Sequence, residues 1–175
     1  MANKTIALVA HDNRKRDLIQ WVSFNCHTLS QFNLVCTGTT GSLVEEEMQK
    51  SIQNFRVNLL KSGPMGGDLQ MGSLIANGEI DFMIFLWDPM SSQPHDVDVK
   101  ALLRVAVVYN IPMACNRSTA DFIISSPLIQ KDYKPTLKGY SAYYRDMAQL
   151  LIIGLNQQYS LIDLKIVFKC QYLRF

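Results

Sequence analysis

The stretch Thr5–Ala10 (TIALVA), close to the start of the chain, is a short and mostly apolar run. Similar runs follow at Leu34–Thr37, Val57–Leu60, Phe82–Leu86 and Pro112–Cys115. Short apolar runs without strict alternation are typical of strands that are buried on both faces, as in a parallel sheet. The sequence therefore predicts a mainly parallel sheet of five strands.

Amphipathic segments separate these runs and predict helices. The segment before the last strand has one apolar face, made of Val99, Leu102, Leu103, Ala106 and Val107. The segment after the first strand places Leu18, Trp21 and Val22 together. This alternation predicts an α/β fold, a single three-layer α/β/α domain with a doubly wound five-stranded sheet. We assign residues 1–150 to the domain and residues 151–175 to an apolar C-terminal tail, which could form an extra strand, a docking arm or a poorly ordered end.

Composition restricts the class of protein. A chain of 175 residues fits one domain, and 48% hydrophobic with 18% charged residues argues against disorder. A net charge of +2 is too small to favour a nucleic-acid or membrane-surface partner. The apolar stretch near the N-terminus is too short for a signal peptide or a membrane span. No C-x-x-C pair occurs among Cys26, Cys36, Cys115 and Cys170. We therefore expect a cytoplasmic protein with reduced thiols.

Polar or glycine-rich loops follow all five predicted strands. Ligands of doubly wound folds bind at the carboxyl ends of the strands, so these loops should meet at one edge of the sheet. That convergence is the main evidence for a site. The loops are His11–Lys15 (HDNRK), Thr37–Gly41 (TGTTG), Ser62–Asp68 (SGPMGGD), Trp87–Pro89 with Pro94–Asp98, and Asn116–Thr119 (NRST).

The TGTTG loop has the chemistry of a phosphate cradle. Glycines let the backbone approach an anion, hydroxyls donate hydrogen bonds, and the following helix directs N–H groups at the anion. Ser62 and Gly63 offer further donors, and Lys15 offers a point charge. A plain capped helix start explains the same residues, because Ser and Thr are favoured N-caps. The loop alone does not decide between the two.

Carboxylates also stand at the predicted strand ends. Any of them could cap a helix, and Asp96, at a predicted helix start, fits that role best. Asp68 differs because it ends a glycine-tight loop, and a base that abstracts a carbon-bound proton needs such a fixed, close approach. The set comprises Asp12, Asp68, Asp88, Asp96 and Asp98.

Two of the three histidines, His11 and His95, lie in these loops, and His27 lies in a predicted helix as a structural or exposed residue. The pattern His95-x-x-Asp98 lacks the H-E-x-x-H and C-x-x-C spacings of zinc sites. A two-metal phosphohydrolase normally needs more histidine. We therefore expect no metal.

Six motifs together resemble the methylglyoxal synthase family. They occur in the family's order and approximate spacing over residues 4 to about 127, whereas Tyr140–Asp146 (YSAYYRD) only loosely matches the family's closing helix. This leaves Arg145 as a candidate for the arginine of that helix. The motifs are VAHDNRK, TGTTG, SGPMGGD, FLWDP, PHDVDVKALLR and NRSTADFIISSP.

The resemblance implies a role for each matching residue. Asp68 matches the general base, His95 the histidine that hydrogen-bonds the substrate oxygens, and Asp98 a carboxylate that assists it. His11 and Asp12 match a pair on the first loop, and Asp88 an aspartate in the same pocket. The positions that hold phosphate are matched by Lys15, Thr37, Gly38, Thr39, Thr40, Ser62 and Gly63.

The resemblance also implies the reaction. It is the lyase reaction that converts dihydroxyacetone phosphate into methylglyoxal and inorganic phosphate, by proton abstraction, enediolate formation and β-elimination, without a cofactor. Family members are similar in forming homohexamers, and some respond to inorganic phosphate. The alternative is a non-catalytic module of the same fold that binds phosphorylated effectors. Such a module would keep the TGTTG cradle but need not keep Asp68, His95 and Asp98 together.

Overall fold

The central feature of the structure, a computed structural model, is a parallel sheet in the order β3-β2-β1-β4-β5. The structure describes residues 4–90, 96–137 and 139, with the side chains of residues 96–98 left out of the description. The strands are β1 (Thr5–Ala10), β2 (Asn33–Thr37), β3 (Asn58–Leu60), β4 (Phe82–Leu86) and β5 (Met113–Ala114). All five predicted strands are confirmed in position and direction.

Helices connect consecutive strands, and one more follows the last. They are α1 (Lys15–Leu29), α2 (Gly38–Gln49), α3 (Gly67–Ala76), α4 (Asp96–Val108) and α5 (Arg117–Ser125). Short 3₁₀ turns lie at Asp12–Arg14, Gly63–Met65 and Pro127–Gln130. The chain up to Leu137 forms one compact unit. The predicted division at residue 150 falls outside the described residues and stays a prediction.

Side chains of β1 point alternately into two apolar layers, which makes the fold three-layered. Ile6 and Leu8 pack in the layer that contains α1, α2 and α5, whereas Ala7 and Val9 pack in the layer that contains α3 and α4. The doubly wound three-layer α/β/α fold is therefore confirmed. The strand order reverses between β1 and β4, so the loops after these two strands border the crevice where such folds bind ligands.

The predicted helix faces are confirmed except at one position. Leu18, Trp21 and Val22 of α1 are buried, as are Val99, Leu102 and Ala106 of α4, with Leu103 partly buried beside them. Val107 is 69% exposed, so its predicted burial is wrong. It directly follows the buried Ala106, about 100° further around the helix, and so lies at the uncovered margin of the apolar face.

The edges of the sheet are less buried than the sequence suggests. The run Val57–Leu60 is apolar enough to read as a buried strand, but β3 is an edge strand and Leu59 is 48% exposed. Cys26 and Cys36 are buried free thiols and Cys115 is a half-buried one. His27 is exposed on α1, in agreement with its predicted lack of a site role. Cys170, Arg145 and the tail 151–175 lie outside the described residues.

Candidate active site

A small pocket lies at the carboxyl edge of the sheet, between the ends of β1 and β2 and the loop after β3. Its volume of about 160 Å³ is below the roughly 300–1,000 Å³ of pockets for drug-sized ligands, so it suits a ligand of few atoms. The predicted site residues that line it are His11, Asp12, Lys15, Thr37, Thr39, Thr40, Ser62, Gly63 and Asp68. Val9, Ala10, Pro64, Phe85, Val99 and Leu102 complete the lining.

The predicted TGTTG loop is in fact the end of β2 followed directly by the first turn of α2, because this helix begins at Gly38. The Gly38 N–H donates to the Lys61 carbonyl at 3.1 Å, which joins the start of α2 to the chain after β3. The start of a helix presents N–H groups and the positive end of its dipole, which favours an anion. Thr39 lines the pocket at this helix start.

The capping alternative for the same residues can be examined directly. Thr37 occupies the N-cap position with an extended backbone, yet within the described part of the chain its side chain makes no capping hydrogen bond to α2. Thr40 is buried, and its hydroxyl lies 3.5 Å from the Ala10 carbonyl, so it ties α2 to β1. The threonines therefore line a pocket wall rather than serving as a side-chain cap.

The loop Ser62–Asp68, named here the glycine loop, is shaped by its backbone. The Met65 and Gly67 N–H groups both donate to the Ser62 carbonyl at 3.0 Å. Gly66 has a φ of +89°, which favours glycine, and a Cβ on Gly67 would lie 1.9 Å from the Lys61 carbonyl oxygen. Asp68 consequently begins α3 with Gly67 instead of ending a loop, and its half-buried side chain lines the pocket.

Lys15 supplies the cation of the pocket. Its Nζ lies 2.6 Å from Asp12 Oδ1 and also donates to the Thr39 hydroxyl. The Lys15 side chain is only 19% exposed, whereas that of Asp12 is 87% exposed. The hydrogen bond and the charge of Lys15 hold the pKa of Asp12 below its usual value. One ammonium group thus links the loop after β1 to the start of α2.

His11 stands where the strand order reverses. Its backbone N–H donates to the Leu86 carbonyl at 3.1 Å, and its ring meets Phe85 edge-on at a centroid distance of 5.7 Å. The Asp88 N–H donates to His11 Nδ1 at 3.3 Å. Since Nδ1 accepts this bond, the neutral ring carries its proton on Nε2.

The remaining predicted site residues are Asp88, Gly38, Asp98 and His95. Asp88 lies beside His11 but outside the pocket lining, and the side chain of Asn13 and the N–H of Met90 hold the pKa of its carboxyl below the usual value. Gly38 is also outside the pocket lining, and its N–H donates to the Lys61 carbonyl. Asp98 lies in the first turn of α4, next to the lining residue Val99, but its side chain is not described. His95 lies outside the described residues.

Sequence reasoning did not single out some residues of this region. Asn13 donates to Asp88 Oδ2 at 2.9 Å. In the sequence, only its position between the candidate residues Asp12 and Lys15 points to a role in the site. Phe85, Val99 and Leu102 reach the pocket from elements whose apolar character indicated only burial. Among the described side chains, those of residues 4–90 and 99–137, no cluster of three or more His, Cys, Asp or Glu could hold a metal ion. Within the same ranges, no helix has the length and hydropathy needed to cross a membrane.

Comparison with known proteins agrees with this geometry. The model of the MGS-like domain family matches residues 17–115. A methylglyoxal synthase of Leptospira interrogans (serovar copenhageni) is 55% identical over 140 residues, which are 80% of this chain and 91% of the relative. One of Maridesulfovibrio salexigens is 53% identical over 148 residues, covering 80% of this chain and 94% of the relative.

A solved structure is similar as well. The crystal structure of methylglyoxal synthase from Elizabethkingia anophelis NUHP1 superposes with a TM-score of 0.74 at 50% identity, covering 82% of this chain and 91% of that one. The parallel sheet, the pocket at its carboxyl edge and these similarities lead to one conclusion. The chain belongs to the methylglyoxal synthase family, and it is an enzyme of the lyase class.

Proposed function

We propose that the pocket binds dihydroxyacetone phosphate and converts it into methylglyoxal and inorganic phosphate. Membership of the family supports this reaction. The observation that carries the assignment to the pocket is that a cation, a helix start and a half-buried carboxylate meet in one small space. These are Lys15, the first turn of α2 and Asp68.

The phosphate would lie against Lys15 and the start of α2. A dianion there gains a charge-assisted hydrogen bond from the ammonium group, N–H donors of the helix and hydroxyls of Thr39 and Ser62. Because Lys15 is mostly shielded from solvent, its attraction to the anion is screened less than at an open surface. The substrate would therefore be held by its phosphate, with its three-carbon part directed toward Asp68.

Asp68 would act as the general base. Its carboxylate takes a proton from the hydroxymethyl carbon, and the electron pair of that C–H bond forms the enediolate double bond. The glycine loop fixes the start of α3, so the carboxylate is positioned by backbone rather than by a mobile side-chain contact. This rigidity suits a base that must approach carbon closely.

The enediolate oxygen needs hydrogen-bond donors. We assign this role to a neutral His95, assisted by Asp98, as the family resemblance implies, and the lining position of Val99 agrees with α4 bordering the pocket. His11, with its proton on Nε2, is a second imidazole donor at the same edge. A neutral imidazole polarises a substrate carbonyl in the same way in triosephosphate isomerase.

Elimination completes the reaction. The proton of the hydroxyl on the former hydroxymethyl carbon passes to the central oxygen, and the terminal oxygen then forms an aldehyde carbonyl. The carbon–carbon double bond shifts to the other side of the central carbon, and the carbon–oxygen bond to phosphate breaks. Phosphate leaves already paired with Lys15, and the enol that remains tautomerises to methylglyoxal. No electron is gained or lost, so the chemistry calls for no redox cofactor.

The cellular location, oligomeric state and regulation of the enzyme are also proposals. We assign it to the cytoplasm as a homohexamer that inorganic phosphate inhibits, on the family resemblance. The roles of Asp12 and Asp88 are those of residues that arrange the pocket, because both carboxylates already accept hydrogen bonds from neighbouring groups.

The test is an assay of the purified protein with dihydroxyacetone phosphate. We expect methylglyoxal and phosphate in equal amounts, and exchange of hydroxymethyl hydrogens with deuterated water. EDTA should leave the rate intact, since the sequence has no metal-site spacing. A protein that binds the substrate but neither exchanges hydrogen nor releases phosphate would instead be the non-catalytic module.

A further inference from the structure

The contact between the Asp88 N–H and His11 Nδ1 sets the tautomer of a pocket histidine, and it depends on how the loop after β4 is held. That loop, Trp87–Met90, is anchored through the side chain of Asp88. Its Oδ1 accepts the Met90 N–H at 3.0 Å, and its Oδ2 accepts the Asn13 side-chain amide at 2.9 Å. Both carboxylate oxygens therefore serve to fix the loop.

Asn13 is the connection between two segments that are distant in sequence. It lies in the 3₁₀ turn Asp12–Arg14, directly after His11, while Asp88 follows β4. The Asn13–Asp88 bond and the His11–Asp88 bond close a short ring of contacts, since His11 and Asn13 are two residues apart on one chain segment and Asp88 contacts both. Movement of Asp88 would consequently alter the hydrogen bond that its N–H donates to the His11 ring.

We infer that Asn13 is a positioning residue for His11. By holding Asp88, it keeps the Asp88 N–H on Nδ1, so that the neutral ring carries its proton on Nε2 and offers a hydrogen-bond donor. Asn13 is itself exposed and outside the pocket lining, so it acts on the reaction only through Asp88 and His11. The inference deepens the proposed function and rests on it for its kinetic part only.

The substitution Asn13→Ala removes the amide donor without touching the phosphate cradle. We expect kcat/KM to fall about three- to tenfold, the effect of one hydrogen bond at an exposed position, with the loss in kcat. Affinity for inorganic phosphate should not change, because Lys15 and the start of α2 remain. Asn13→Gln keeps an amide donor with longer reach and should recover part of the loss.

The decisive measurement is the tautomer of His11 by nitrogen NMR, recorded at a pH at which the spectra themselves show a neutral imidazole. In the parent protein the proton should lie on Nε2 only, and in Asn13→Ala the two tautomers should mix. Asn25→Ala is the matched control, because its side-chain amide donates to the Trp21 carbonyl at 2.9 Å on α1, away from the pocket. It should leave both tautomer and kinetics unchanged.

Two results would overturn the inference: an unchanged His11 tautomer in Asn13→Ala, or a loss of phosphate affinity equal to the loss of kcat/KM. The NMR measurement needs no turnover. If the parent protein made no methylglyoxal, the proposed function would fail while the tautomer would still decide the role of Asn13.

Discussion

The glycine loop (Ser62–Asp68) and the polar loops after β1 and β4 (His11–Lys15 and Trp87–Met90) stand at the same edge of the sheet, but they are held in place by different means. The glycine loop is determined by backbone hydrogen bonds and by the space left when side chains are absent. The polar loops are connected by two hydrogen bonds that involve side chains, and one ion pair lies within His11–Lys15.

This difference has consequences for how each region responds to change. Where the backbone conformation is one that only glycine tolerates, any other residue forces the backbone to move. A substitution in the glycine loop should therefore displace both Asp68 and the start of α3. A side-chain network can lose one bond and keep the rest, because exposed hydrogen bonds and ion pairs are individually weak. The glycine loop should therefore show large effects and the polar loops graded ones.

The largest effect is expected for Asp68→Asn, which keeps the shape of the glycine loop but removes the base. Turnover should fall by about 10²–10⁴-fold, the usual cost of losing a general base. Hydrogen exchange at the hydroxymethyl carbon should stop, while calorimetry should show unchanged phosphate affinity. Asp132→Asn, at an exposed carboxylate outside the pocket, is the control and should behave as the parent. If exchange persists in Asp68→Asn, Asp98 becomes the candidate base.

A second large effect should follow Gly67→Ala. The added Cβ would lie 1.9 Å from the Lys61 carbonyl oxygen, a backbone atom that cannot rotate aside, so the loop must move. Overpacking of this kind costs about 3 kcal/mol of stability, and activity should fall with it. Urea unfolding measures the first and the methylglyoxal assay the second.

The matched control for Gly67→Ala is Gly72→Ala in the same helix. A Cβ on Gly72 meets nothing within 4 Å, so alanine should stabilise α3 by about 0.5–1 kcal/mol. Equal stability of Gly67→Ala and Gly72→Ala would contradict the claim that backbone packing shapes the glycine loop.

In the polar loops, Lys15→Ala should have an intermediate effect. It removes a charge-assisted contact to phosphate worth about 1.5–3 kcal/mol, so phosphate and substrate should both bind roughly 10- to 100-fold more weakly. Lys50→Ala is a close control, because Lys50 pairs with Glu47 at the same 2.6 Å and the same i,i+3 spacing at the far end of α2. Unchanged phosphate affinity in Lys15→Ala would remove Lys15 from the site.

The same two regions show which features of the fold and the site can be predicted from the sequence and which cannot. The strands were readable because burial on both faces makes them short apolar runs, and the convergence of the loops follows from the parallel direction of the strands. The glycines of SGPMGGD indicated a tight loop, but they did not indicate that Asp68 lies at the start of a helix. The close approach of Gly67 to Lys61 depends on the tertiary structure, which the local sequence does not show. TGTTG likewise read as a loop although α2 begins at Gly38, because glycine is a poor helix former and masks a helix start.

Side-chain networks were the least predictable feature. Asp88 stood out as a carboxylate at a strand end, yet nothing in the sequence pairs it with Asn13, 75 residues away. The exposure of Val107 and Leu59 was missed for a related reason, since an apolar pattern does not reveal which residues at the margin of a helix face are covered or which strand lies at the edge of the sheet. Roles for His95 and Asp98 remain predictions.

The smallest expected effect concerns the pKa of Asp12, and it tests whether the ion pair of the polar loops exists in solution. In the parent protein Lys15 holds this pKa below its usual value. A lowered pKa means that the pair stabilises the fold above the pKa of the unfolded chain, and that this contribution disappears as pH falls through the lowered value. Since Asp12 is 87% exposed, the change in stability should be slight, so the titration itself is the measurement.

Carbon NMR of the Asp12 carboxyl should show that its pKa rises in Lys15→Ala and stays unchanged in Lys50→Ala. In Lys50→Ala the pKa of Glu47 should rise instead, because Lys50 lowers it in the parent protein. If the Asp12 pKa of the parent is already ordinary, the ammonium of Lys15 is held by Thr39 rather than by Asp12.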